Sequence, residues 1–229
     1  MTSVVPIRAV LFDWGDTLFE SPHAPRVMVS YARERGIRLD DDEAERMWDE
    51  LWHAGKTPEE HAKGRDLSRD AHRRVWTELF ARKEAFIPGI GRVLYERVME
   101  PSIWKPYPDA EPTLRALHDR GVKIGVVSNH AYDLRPVFRD AGLDRYIDAY
   151  ALSYEIGVTK PGRGIFIEAC RLLGVGPADT LMVGDDATSD GGATEAGLRF
   201  YLLGPYGRGG ERGLARVVEI VDASRAVDA

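Results

Sequence analysis

Ala9-Val10-Leu11-Phe12-Asp13-Trp14-Gly15-Asp16-Thr17-Leu18 is the stretch on which the fold turns. Its apolar run, stopped by aspartate and glycine, reads as an interior strand of a parallel sheet, since a strand buried on both faces carries no polar alternation. Ligands of open α/β sheets bind beyond the carboxyl ends of the strands. Asp13 therefore stands either at a site of chemistry or, on the plainer reading, in an ordinary turn.

Beyond Leu18 the pattern becomes helical and rich in charge, from about residue 24 to 99. Asp40-Asp41-Asp42-Glu43 puts acid at the head of a helix whose apolar stripe is Ala44, Met47, Trp48, Leu51 and Trp52. Thr57-Pro58-Glu59-Glu60 reads as a capping box. A longer helix is expected over 68–85, with Val75, Trp76, Leu79 and Phe80 inward.

From Pro108 strands and helices alternate, as in a parallel sheet with crossover helices. Asp109 heads a helix, and a strand over 123–127 ends at Ser128. A helix follows around 134–141, then a strand near 149–152, a loop with Lys160-Pro161 and a helix over 165–173. A strand over 180–183 runs into Gly184-Asp185-Asp186; a helix stopping at Gly197 and a strand over 199–203 come after it. The tail from Leu214 reads equally as strand or short helix. Gly204-Pro205-Tyr206-Gly207-Arg208-Gly209-Gly210 matches neither a phosphate loop nor a dinucleotide fingerprint and reads as a flexible loop. The expected architecture is α/β: a Rossmann-like parallel sheet core, residues 1–18 and 108–229, with an inserted all-helical cap, residues 19–107.

A chain of 229 residues, 44% hydrophobic and 30% charged, is long enough to bury a core. A net charge of -6 argues against nucleic acid as the main partner, because backbone phosphates call for a basic surface. Cys170 is the single cysteine, so no disulfide framework or thiolate metal cluster is expected. No stretch approaches a membrane span and no charged-then-apolar leader opens the chain; a cytoplasmic protein, monomer or homodimer, is the expectation.

The ends of parallel strands share one edge, which would gather Asp13, Ser128, Lys160, Asp185, Asp186 and Asp190. Clustered carboxylates resist ionisation unless a cation or protons neutralise them. An oxygen-only set suits Mg²⁺. The same groups fit phosphoryl transfer, with Asp13 as nucleophile and Lys160 and the Ser128 hydroxyl on the transferring oxygens. Main-chain N–H groups around Trp14, Gly15 and Asn129 would complete the cradle.

The order hhhD-x-x-x-T, hhhS-N, K-P and V-G-D-x-x-x-x-D is carried by Asp13 to Thr17, Ser128-Asn129, Lys160-Pro161 and Val183-Gly184-Asp185 through Asp190. It resembles the haloacid dehalogenase superfamily, whose commonest members are Mg²⁺-dependent phosphatases. The resemblance implies a helical cap between the first and second motifs, closing over a small phosphorylated substrate, and an aspartyl phosphate formed on Asp13. It implies metal ligation by Asp13, the Gly15 carbonyl and Asp185, supporting places for Asp190 and Asp186, and substrate contacts from Thr17 and Asn129. The superfamily's C–halogen hydrolases use the same nucleophile without metal and lack the Gly-Asp of the fourth motif, which Gly184-Asp185 supplies. A binding protein that keeps the fold is a further alternative.

Phosphatases of this family carry a second aspartate two residues after the nucleophile, as proton donor and then base. That position here is Gly15, and Asp16 follows one residue late. Asp16 either takes over the proton transfer or braces the turn. In the cap, Lys56, His61, Lys63 and Arg65 read as an anion-facing run or, more plainly, as a solvated helix face. His130 reads as a surface-loop residue, and Trp48, Trp52 and Trp76 as cap core.

Overall fold

The computed structural model describes residues 5–205 and 208–226. The chain divides into two compact units, one formed by the residues up to Ser21 together with those from Lys105 onward, the other by Pro22–Trp104. The expected boundaries at 19 and 107 flank a short antiparallel ribbon, Phe19–Glu20 with Lys105–Pro106, that goes with the first unit.

In the first unit five parallel strands, β1 (Ala9–Phe12), β2 (Lys123–Ser128), β3 (Ala149–Leu152), β4 (Thr180–Gly184) and β5 (Arg199–Leu202), lie in the order β3-β2-β1-β4-β5. Phe12 sits opposite Val126 on one side and Val183 on the other, so β1 is central and all its side chains are fully buried. That explains its unbroken apolar run. Ala9 and Leu11 join Val127, Ala151 and Met182 against the helix Arg163–Leu173, through Ile165, Phe166 and Ala169. Strand order reverses between β1 and β4, the kind of switch point beyond whose strand ends the ligands of open α/β sheets bind.

Several local expectations are corrected. Asp109 makes no side-chain bond to the helix it heads, Ala110–Asp119. Its buried carboxylate accepts instead from the N–H groups of Arg212, Gly213 and Leu214, at 2.9, 2.8 and 2.7 Å. The tail those amides lead into is a helix, Ala215–Arg225, which has no side-chain cap of its own. The run closing at Gly197 is a 3-10 segment, Gly191–Ala196, rather than an α-helix. Within 204–210, Tyr206 and Gly207 lie outside the described residues. The rest is pinned rather than loose, with Arg208 Nη1 donating to the Ser21 carbonyl and the Gly209 N–H to Glu20 Oε1, each at 3.1 Å.

The second unit packs the helices Pro25–Arg33, Asp41–Gly55, Pro58–His61, Arg69–Phe80 and Ile90–Val98. Asp40 caps the second of these by accepting from the Glu43 N–H at 2.7 Å. The expected capping box is half made: Thr57 Oγ1 accepts from the Glu60 N–H, while the Glu60 carboxylate turns to Lys63 and Arg82, at 2.8 and 2.5 Å. Trp48, Trp52 and Trp76 stack in sequence with centroids 5.4 Å apart at each step. Of the basic run, Lys56, His61 and Lys63 are exposed as a solvated face requires, while Arg65 departs from it, buried over the Trp76 ring at 4.5 Å and beside Asp66, which also bonds His61 at 3.1 Å. Burial works to raise the Asp66 carboxyl, and the His61 and Arg65 contacts outweigh it, holding Asp66 below the usual range. Among the described residues no helix is long and apolar enough to cross a membrane.

Candidate active site

Asp13 follows the last residue of β1, and its N–H continues the ladder to the Val183 carbonyl at 2.9 Å. The backbone that carries the carboxylate is thus still sheet. The chain then turns back through Gly15, which bridges to Phe19. Asp16 adopts a left-handed conformation, φ 57°, a region costly for most side chains and best tolerated by asparagine and aspartate after glycine. Its buried carboxylate Oδ1 accepts from the Ser21 N–H at 3.1 Å, its own N–H donates to the Phe19 carbonyl at 2.7 Å, and its carbonyl accepts from Arg212 Nε at 2.6 Å. Of the two readings for Asp16, the brace is the one that these contacts describe.

Lys160 reaches this turn from the loop after β3. Its ammonium, almost wholly buried, donates at 2.6 Å both to Asp13 Oδ1 and to Asp190 Oδ1. Two features hold it there. Asn129, just past the end of β2, clamps the Lys160 main chain, accepting its N–H at 2.7 Å and donating to its carbonyl at 2.9 Å. Gly192 lies so close to Pro161 that a Cβ would come within 2.5 Å of the proline carbonyl oxygen. Asn129, expected to touch substrate, has its amide committed to positioning Lys160. Ser128 is buried at the tip of β2.

Beyond β4, Asp185 accepts from the Thr17 hydroxyl at 3.3 Å, so Thr17 steadies a carboxylate. Asp190 is fully buried and spends both oxygens within the fold, Oδ1 on Lys160 and Oδ2 on the Asp186 N–H at 3.1 Å. Gly184 makes room for it, since a Cβ on Gly184 would fall 2.0 Å from Asp190 Oδ2. Asp186 is exposed and braces its own loop, accepting from the N–H groups of Thr188 and Ser189 at 2.8 Å. Partial burial works to raise the Asp186 carboxyl, but those amides hold it below the usual range.

Asp13, Asp185 and Asp190 each offer an oxygen within 4.8 Å of the others, and Asp186 stands outside the group. Burial pushes the Asp13 carboxyl up to about 7; Lys160 pulls against this, while Asp190 and Asp185 add to it. Burial alone would lower Lys160, but Asp13 and Asp190 keep its ammonium above the usual lysine range. The arrangement is a carboxylate nucleophile candidate held by a fixed cation, with more negative than positive charge in a small volume.

Three contributors gave little signal in the sequence. Asp109, Arg212 and Gly184 act at the turn or beneath it, and only Gly184 stood inside a motif. His130 lies in the loop after β2 but is half-buried there: its ring packs 4.9 Å from Trp14, and Ser153 Oγ brackets its main chain.

A family model described as haloacid dehalogenase-like hydrolase matches residues 7–197. A glyceraldehyde 3-phosphate phosphatase of Methanopyrus kandleri is 34% identical over 199 residues, 84% of this chain and 82% of the relative. A ribulose-1,5-bisphosphate 5-phosphatase of Halopiger xanaduensis is 28% identical, over 86% and 84% of the two chains. A Bacillus subtilis HAD-hydrolase, solved bound to magnesium, shares the fold with a TM-score of 0.70 at 20% identity, over 95% of this chain and 99% of that one.

Proposed function

We propose, from the premise that this chain belongs to the haloacid dehalogenase-like hydrolase family, that it is a Mg²⁺-dependent phosphatase of small phosphorylated metabolites. The observation that carries the reading is Lys160 bridging Asp13 and Asp190 at 2.6 Å with Asp185 in the same cluster. The relatives named for phosphatase activity on a triose phosphate and a pentulose bisphosphate support the substrate class.

The donor set fits a hard divalent cation: carboxylate oxygens, with no histidine or cysteine in the group. The raised Asp13 carboxyl marks the same surplus of negative charge that a cation would neutralise. Asp13, Asp185 and the Gly15 carbonyl would hold it. When bound, Mg²⁺ supplies charge neutralisation that lets the substrate phosphate approach the carboxylates.

Asp13 attacks phosphorus through a carboxylate oxygen, the bond from phosphorus to the leaving oxygen breaks, the departing alkoxide takes its proton from water, and an aspartyl phosphate forms on Asp13. Water then releases phosphate and restores the carboxylate. Lys160 orients Asp13 and, with the Ser128 hydroxyl, stabilises charge on the transferring oxygens. Asp190 and Asn129 hold Lys160, and Thr17 holds Asp185. Asp16 shapes the turn.

Phosphate release from a panel of phosphorylated metabolites, with Mg²⁺ and with EDTA, tests the reading. Release by the wild type that EDTA and Asp13→Asn both abolish is the expected result. An inactive wild type across the panel would overturn the phosphatase reading, and an active Asp13→Asn would overturn the covalent route.

A further inference from the structure

We propose that Arg212 is a positioning residue for the nucleophile turn: its guanidinium, carried on a main chain that Asp109 anchors, locks the left-handed Asp16 peptide and through it the Asp13–Thr17 backbone. The inference rests on the phosphatase reading for its link to catalysis and on geometry alone for its link to the turn.

Left-handed backbone at a residue with a side chain persists only where the surroundings over-determine it. Two of the holds on Asp16 are local, from Phe19 and Ser21. The third comes from 196 residues away, where buried Arg212 donates from Nε to the Asp16 carbonyl at 2.6 Å. The same guanidinium donates from Nη1 to the Gly204 carbonyl at 2.7 Å, so it ties the turn to the segment following β5. A buried, planar guanidinium fixed at more than one nitrogen aims its donors far more tightly than an ammonium on a flexible stem.

Arg212 is itself fixed from behind. The Asp109 carboxylate accepts its N–H and those of Gly213 and Leu214, anchoring it at the head of the helix Ala215–Arg225. The chain of contacts runs from a core helix to Asp109, to Arg212, to Asp16. What it delivers is the orientation of the peptides flanking Asp16, with Asp13 and the Gly15 carbonyl on one side and Thr17, the partner of Asp185, on the other. A shift of about 1 Å at reacting groups is enough to cost on the order of a hundredfold in rate. This gives a sequence-distant, buried arginine leverage over kcat without touching substrate.

The test compares wild type, Arg212→Met, Arg212→Lys and Asp109→Asn by steady-state kinetics on p-nitrophenyl phosphate and by amide hydrogen exchange. For Arg212→Met the expected result is a kcat lower by about ten- to a hundredfold with KM within about threefold. Exchange should quicken in peptides covering 13–19, where the amides of Asp16, Leu18 and Phe19 are bonded within the turn, and stay unchanged in β2 and β4. Arg212→Lys and Asp109→Asn should lie between wild type and Arg212→Met on both readouts. An unchanged kcat together with unchanged exchange in 13–19 overturns the proposal. So does a loss of activity with exchange raised equally across the whole sheet, since that is a stability effect. A wild type inactive on phosphate esters defeats the phosphatase reading instead, and the exchange data then decide the role of Arg212 alone.

Discussion

Gly184→Ala is expected to strike the site through a single side chain. The added Cβ would lie 2.0 Å from Asp190 Oδ2, 2.3 Å from its Cγ and 2.7 Å from its Cβ. Ordinary contact begins near 3.4 Å, so the carboxylate must retreat by about 1.4 Å. It has nowhere neutral to go: Asp190 is fully buried, and its oxygens are bonded to Lys160 and to the Asp186 N–H. Losing a charge-assisted bond costs roughly 1.5–3 kcal/mol, and overpacking roughly 1–3 kcal/mol. The sum, about 2.5–6 kcal/mol, should lower the thermal midpoint by roughly 5–24 °C for a chain of this size. Because Lys160 loses one of its anchors, kcat on a phosphate ester should fall at least tenfold even well below the midpoint. Scanning calorimetry and steady-state kinetics read both. In an Asp190→Gly background, which removes every atom of the clash, the same substitution should cost less than about 1 kcal/mol. Equal costs in the two backgrounds would refute the account.

Asp16→Asn keeps an oxygen for the Ser21 N–H and a residue type that tolerates positive φ, so kcat should stay within about threefold for phosphate esters across a range of leaving-group pKa; a loss that steepens with leaving-group pKa would restore Asp16 as proton donor. Asn129→Ala removes both bonds to the Lys160 main chain and should lower kcat more than it raises KM; the reverse split would make Asn129 a substrate contact. Glu60 and Asp66 lie buried: burial works to raise both, but Lys63 and Arg82 hold Glu60, and His61 and Arg65 hold Asp66, below their ordinary values of 4.5 and 3.8. Each contributes stability that is present above its ordinary value and lost as pH falls through the lower folded one. Tryptophan fluorescence melts below about pH 4.5 should therefore show a decline that flattens in the Glu60→Gln, Asp66→Asn double variant; an unchanged slope would refute this pairing. The Trp48, Trp52 and Trp76 stack places the reporters in the same unit.

The three inner strands were legible because each buried run is punctuated by its own neighbours, such as Phe12 by Asp13 or Val183 by Gly184. Asp13, Lys160 and Asp185 were legible because parallel strands make chain order predict a common edge. What escaped was decided by partners far along the chain. Asp109 looked like the cap of its own helix, yet its carboxylate serves amides 103 to 105 residues later. Glu60 completes the spelling of a capping box and still turns to Arg82, because a charged partner is within reach and the Thr57 amide is not its strongest option. Asn129 and Asp16 sit in motif positions, but the bonds from Asn129 to the Lys160 main chain and from the Ser21 N–H to Asp16 Oδ1 are ones that no spacing rule reveals.

The ribbon of Phe19–Glu20 and Lys105–Pro106 has a consequence for how such a chain can change over time. Antiparallel pairing brings the outgoing and returning strands to about 5 Å apart, so from the standpoint of the sheet everything in Pro22–Trp104 is the loop of one hairpin. The entropy of closing a loop grows only as the logarithm of its length. An ancestor with a tight turn there, or a descendant with a different helical module, would present the same two ends to β1 and β2. The unit that carries the sheet can thus be inherited unaltered while the other is exchanged, lengthened or rebuilt.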